Sequence, residues 1–123
     1  MQYTSKLVGS KKRGVKRVQD SEFHELVDEL FNRIEDGIDG LDQDVDVDAS
    51  GGILTIEFAD GTTAIISRQI SNHEVWIAAK SGGYHLSLDE NHTWICTATG
   101  EDLPALLSRV ISVQAGAQIT IPN

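Results

Sequence analysis

The sequence predicts an α+β fold: a helix, a mostly antiparallel sheet of about six strands, and a second helix, with both helices packed on one face of the sheet. Three observations predict it. Apolar residues recur every three or four positions near the start and again near the end of the 123-residue chain. Between these stretches the period falls to two. Short turn signals rich in Gly, Asn and Asp divide that middle region into strands.

The first helix is predicted from residue 21 to about residue 39. Phe23, Leu26, Val27, Leu30, Phe31, Ile34 and Ile38 fall on one of its faces. Ser21 or Asp20 is the expected N-cap. The other face carries Glu25, Asp28, Glu29, Asn32, Glu35, Asp36 and Asp39. Glu22 and Glu25 lie near the positive end of the helix dipole, where carboxylates are favoured. Glu35, Asp36 and Asp39 lie near the negative end, where they are not, and breaches of a local rule tend to mark function. Gly40 ends the helix. From Asp44 the period is two: Val45, Val47 and Ala49 point one way, and Asp44, Asp46 and Asp48 the other. Neighbouring carboxylates on such a strand are roughly 7 Å apart, and each pair costs on the order of 0.6 kcal/mol in water before screening.

Gly51-Gly52 then turns the chain into a strand from Ile53 to Phe58. Asp60-Gly61 turns it back into a strand from Thr63 to Arg68. Ser71-Asn72 interrupts, and Glu74 to Ala79 is the next strand. Ser81-Gly82-Gly83 leads to Tyr84 to Leu88, and Asp89-Glu90-Asn91 leads to a short strand from Thr93 to Thr97. Thr99-Gly100 closes the sheet. Asp102 caps a final helix with Pro104 in its first turn. Leu103, Leu106, Leu107, Val110 and Ile111 are its apolar face, and Gly116 follows it.

The chain reads as a single domain over residues 21–123, preceded by a basic arm over residues 1–20 that is expected to be disordered. The net charge of −9 hides a sharp division. Residues 1–20 hold six basic side chains against Asp20 alone, a net of +5. The remainder holds four basic and eighteen acidic residues, a net of −14. Such a body repels nucleic acid and anionic lipid and attracts metal cations or a basic protein surface. No apolar run is long enough for a membrane span, and the first residues lack a secretory h-region. Cys96 stands alone, so no intramolecular disulfide or zinc cluster is expected, and a reducing compartment fits. The arm reads as a nucleic-acid contact, a targeting remnant, a partner-binding arm or a plain solvated extension.

Half of the stretch from Glu35 to Asp48 is carboxylate, seven residues in fourteen, with no Lys or Arg between them. Asp42-x-Asp44-x-Asp46 imitates the start of an EF-hand loop. The imitation stops there, because Val47 stands where Gly is needed and Ile53 where a bidentate Glu is needed. An open site remains: Glu35, Asp36 and Asp39 from the helix end, with Asp44, Asp46 and Asp48 from the next strand, forming one ridge. Such oxygen ligands suit hard divalent ions held weakly with their waters retained. The alternative is a merely solvated acidic face. His24, on the same helix, is a candidate nitrogen ligand, while His73, His85 and His92 show no metal-binding spacing. No nucleophile elbow, phosphate loop or Cys/His arrangement indicates an enzyme. Trp76 alternates with Val75 and Ile77 and reads by default as core, or as an interface anchor if exposed.

Several segments carry a resemblance to the frataxin family, most closely its bacterial branch. They are Ser21-Glu22-Phe23-His24, Gly51-Gly52-Ile53-Leu54-Thr55-Ile56-Glu57-Phe58, Arg68-Gln69, Glu74-Val75-Trp76-Ile77-Ala78-Ala79-Lys80-Ser81-Gly82-Gly83-Tyr84-His85, and Trp94-Ile95 with Thr99-Gly100-Glu101. The resemblance spans about residues 20 to 116 and leaves out the basic arm. It implies weak, surface-bound iron (Fe²⁺/Fe³⁺) at Glu35, Asp36, Asp39, Asp42, Asp44, Asp46 and Asp48, with His24 as an extra ligand. It implies a non-enzymatic role in iron–sulfur cluster assembly. In this role the ridge, with Glu35, Asp36, Asp39 and Asp44, docks on a cysteine desulfurase. The sheet face, with Gln69, Trp76 and neighbouring Arg68, meets the scaffold protein. It also implies a monomer without iron and a bacterial cytoplasmic location, or the mitochondrial matrix if the arm is a targeting remnant. An iron chaperone or store that oligomerises with metal, and an acidic interaction module without metal, are the alternatives. The chain departs from the family pattern at Gly40, an acidic position in the family, at Ser67 in place of Asn, and at Ser71-Asn72 in place of Pro-Leu.

Overall fold

A computed structural model describes residues 19–41, 44–117 and 119–121 of the chain. Its elements are α1 (Asp20–Asp39), β1 (Val45–Ser50), β2 (Ile53–Phe58), β3 (Thr63–Gln69), a 3-10 turn (Ile70–Asn72), β4 (Glu74–Ala79), β5 (Gly82–Leu88), β6 (Trp94–Cys96) and α2 (Leu103–Ala115). The six strands form one sheet in sequence order, every neighbouring pair antiparallel. The basic arm up to Val18 and the ridge residue Asp42 lie outside the described residues.

Register decides which face each side chain takes. The two-residue Gly51-Gly52 turn places Ser50 opposite Ile53 and so Val45 opposite Phe58. Both glycines have positive φ, 62° and 79°, which the tight hairpin requires and which Gly adopts without strain. Leu54, Ile56 and Phe58 then face the helices with Ile66, Val75, Ile77, Leu86 and Cys96, and all are buried. Phe23, Val27, Leu30, Phe31, Ile34 and Ile38 of α1 close over this layer, as do Leu103, Leu106, Leu107, Val110 and Ile111 of α2. Each such side chain contributes roughly 1.5–3 kcal/mol on full burial, which is why the two periodicities so strongly select this arrangement. Ile119 and Ile121, beyond α2, join the same core.

The helix ends differ from expectation. The N-cap of α1 is Gln19, with no side-chain cap, rather than Ser21 or Asp20. Asp20 has another partner: His73 Nε2 lies 2.7 Å from its Oδ1. The His73 ring also stacks on Phe23, with centroids 4.9 Å apart. His73 has a left-handed backbone, φ 52°, and ends the 3-10 turn, so it joins that turn to the start of α1. Asp102 caps α2 as expected, accepting from Ala105 N at 3.0 Å. The C-terminal end of α2 is joined to the sheet turns by Gln114, a buried amide that accepts from Lys80 N and donates to Thr62 Oγ1 and Thr63 O.

Candidate functional site

The acidic site is built around an unpaired strand edge. β1 is an outer strand of the sheet, and α1 packs beside it on the helix face. The last turn of α1 contains no basic residue, and Gly40 caps it with its N–H on Asp36 O. Asp36 and Asp39 are exposed and Glu35 is half-buried. Across the edge, Asp46 and Asp48 point the other way, onto the open face, because Val45 and Val47 occupy the helix side. The carboxylates of α1 and those of β1 therefore flank the free backbone of β1 from opposite faces. Asp44 is exposed immediately before the strand. None of these carboxylates is in an ion pair among the described residues. No three His, Cys, Asp or Glu side chains among the described residues converge as a ready-made metal site. The donors suit a hard cation, but the arrangement is open: a cation there keeps waters to complete its shell.

One further carboxylate belongs with this set. Glu57 of β2 stands directly opposite Asp46 on the open face. Together with Asp48, Thr55 and Thr63 they line a shallow depression of about 300 Å³. Its signal was in the sequence, because a two-residue turn at Gly51-Gly52 fixes that pairing.

His24 and Arg68 lie apart from the edge. Arg68 sits on the helix face opposite Val75, not on the open face. Its Nη2 donates to Asp28 Oδ1 at 2.7 Å and its Nη1 lies 3.0 Å from His24 Nδ1. The guanidinium also lies over the Phe31 ring, 5.2 Å from the centroid. A guanidinium only donates, so His24 Nδ1 accepts and the neutral ring carries its proton on Nε2. Neither nitrogen then offers a free lone pair to a metal. Arg68, Asp28 and Glu35 border a groove of about 450 Å³ between α1 and the β1–β2 turn.

The open face carries a second candidate surface. Ile53, Ser67, Trp76 and His85 form one row across four strands. Trp76 is half-buried rather than in the core. Its indole stacks on the His85 ring, with centroids 4.3 Å apart and planes 8° apart, and its Nε1 donates to Glu74 Oε1 at 2.8 Å. Gln69 lies on the same face opposite Glu74. Ile53 and Ile65 are exposed beside them, at 42% and 38%. Sequence reading missed His85, Glu74 and the two isoleucines, because only the strand register brings them to Trp76.

The architecture is a two-layer α+β sandwich, one antiparallel six-stranded sheet covered on one face by two helices. The chain belongs to the frataxin-like family: the sequence model of the Frataxin-like domain matches residues 16–117. It is 41% identical over 105 residues to the iron-sulfur cluster assembly protein CyaY of Azotobacter vinelandii, covering 85% of this chain and 96% of that protein. It is similar to the frataxin of Psychromonas ingrahamii in structure, with a TM-score of 0.79 and 36% identity over 86% of this chain and 100% of the other. The trimeric frataxin of the yeast Saccharomyces cerevisiae, in its ferrous complex, shares the fold with a TM-score of 0.60 at 24% identity, over 82% of this chain and 89% of the other. No described helix is long and apolar enough to cross a membrane.

Proposed function

We propose that this protein is a non-enzymatic, iron-binding regulator of iron–sulfur cluster assembly. Its acidic edge docks on a basic surface of a cysteine desulfurase and modulates sulfur transfer to the scaffold protein. The observation that carries this reading is the unpaired β1 edge, with Asp36 and Asp39 on one side and Asp46 and Asp48 on the other, none of them ion-paired among the described residues. Evolved folds rarely leave so much uncompensated like charge together unless something outside neutralises it. The relative named as an iron-sulfur cluster assembly protein, at 41% identity, supports the same reading. Iron is cargo here, held loosely by carboxylate oxygens. The Trp76 row is the surface offered to the scaffold, and the half-buried Arg68 acts on it only by holding β3 against α1.

Two measurements test this. Titration with Fe²⁺ under anaerobic conditions, followed by amide NMR, is expected to perturb residues 35–48 first; a uniform or absent response overturns the metal role. Replacing Asp39, Asp44 and Asp46 together by Lys is expected to abolish capture of the desulfurase, and retained capture overturns the docking role.

A further inference from the structure

One cavity of the molecule belongs neither to the acidic edge nor to the Trp76 row. It has a volume of about 200 Å³ and lies where α1, the β5–β6 turn and the start of α2 meet. Leu30, Ile34, Trp94 and Leu103 form its apolar wall, and all four are buried. Ile121 closes one side, tied to α2 because its N–H donates to Ser108 Oγ at 2.8 Å. The charge of the lining runs against that of the body. After residue 20 the chain has four basic residues among eighteen acidic ones. Two of the four, Arg68 and Arg109, are held in ion pairs. Arg33 is in none among the described residues, although Glu29 and Asp36 stand one turn away from it on α1. It lines the cavity instead. The one carboxylate on the wall, Asp102, is already engaged, its Oδ1 accepting from Ala105 N at 3.0 Å as the cap of α2. His92, the remaining ionisable group there, is neutral or cationic and never negative. Trp94 is 5% exposed, and its indole N–H has no acceptor among the described residues.

We propose that this cavity binds a small aromatic carboxylate, with the ring against Trp94 and Leu103 and the carboxylate on Arg33. The size suits one ring, since an apolar cavity of about 150 Å³ holds benzene. The lining selects both halves of the ligand. Apolar walls that include an indole favour a flat ring. A guanidinium matches a planar carboxylate, which it can hold through two parallel hydrogen bonds. A cationic ligand would meet Arg33 with no disengaged carboxylate to offset it, and a neutral ring would leave the guanidinium unpaired. The site shares no residue with the edge or the Trp76 row, so it stands independently of the function proposed above.

The test uses the full isotope-labelled chain, with phenylacetate as probe and phenylacetamide, of the same shape without the charge, as control. Expected are saturable NMR shifts at the amides of Leu30, Ile34 and Leu103 and at the indole N–H of Trp94. Phenylacetate should bind roughly tenfold more tightly than phenylacetamide. R33Q changes an exposed position and leaves the core alone, so it should fold and lose that preference, while R33K should keep part of it. Equal binding of the two probes, or an undiminished preference in R33Q, overturns the proposal. So does the absence of a saturable response, or a response centred on Arg68, Arg109 or the Trp76 row. Binding seen only after removal of Pro122 and Asn123 also overturns it, because the cavity would then belong to the chain's own residues.

Discussion

The ring of His85 lies parallel to the indole of Trp76, 4.3 Å away and tilted by only 8°, on the face of the sheet that no helix covers. Glu74 accepts from the indole Nε1 at 2.8 Å on the same face. Stacking and hydrogen bond together fix the orientation of the largest half-buried side chain on that face. An aromatic held in one orientation loses less entropy on docking.

Substituting His85→Ala should free the indole while leaving the core intact. Aromatic pairs contribute about 0.5–1.5 kcal/mol beyond area burial, and this partly exposed pair belongs at the lower end. The expected result is greater quenching of Trp76 fluorescence by acrylamide, with a melting temperature close to wild type. Trp94, only 5% exposed, is the internal control that should not change. Unaltered quenching of Trp76 would show that His85 does not hold the indole.

Arg68 ties β3 to α1 through Asp28, His24 and the Phe31 ring. Its Nε is buried without a hydrogen-bond partner, a cost that the other contacts offset. Asp28 is 64% exposed, so the ion pair alone contributes little. The loss in Arg68→Ala comes mainly from the buried stem and the cation–π contact, together about 1–2 kcal/mol. Thermal unfolding should shift down by roughly 4–8 °C for each kcal/mol lost. Asp28→Asn should cost much less, and equal losses in the two variants would place the energy in the ion pair instead.

Much of this was legible in the sequence, for reasons that individual residues show. The α1 face from Phe23 to Ile38 and the alternation in β2 are dictated by burial alone, and the structure follows them. Trp76 was not, because alternation names two faces without saying which one the helices cover. The N-cap was misplaced because Asp20 has a competing partner, His73, that lies 53 positions away. Arg68 follows Ser67, which shares the open-face row with Trp76, and adjacency in sequence suggested adjacency in space. Pleating puts consecutive side chains on opposite faces, which sends Arg68 to α1.

Arg109 donates from Nε and Nη2 to both carboxylate oxygens of Glu101, at 3.0 and 2.7 Å, bracing α2 against the loop after β6. Arg109 hydrogen bonding holds the Glu101 carboxyl below its ordinary value of 4.5. A depressed carboxyl adds stability that is fully present above the unfolded value and is lost as pH falls through the folded one. Glu101→Gln should therefore lower the melting temperature at neutral pH. The difference from wild type should shrink once pH drops below about 4.5. A difference independent of pH would assign the loss to packing.

Asp46 and Glu57 face each other directly across β1 and β2, and like charges so placed are destabilising. Neither has an ion-pair partner among the described residues. Glu57→Lys turns that repulsion into attraction, and opposite-charge pairs on a sheet contribute roughly 0.2–1 kcal/mol. The variant should melt above wild type at low salt, and the gap should narrow as salt screens both interactions. Manganese supplies a finer comparison. A divalent cation bound at the edge should raise the melting temperature of the wild type, since a ligand that favours the folded state stabilises it by mass action. If Glu57 shares that cation with Asp46 and Asp48, the gain should fall in Glu57→Lys and persist in Arg68→Ala. If it is equal in all three proteins, the cation sits on the α1 side of the edge, with Asp36 and Asp39.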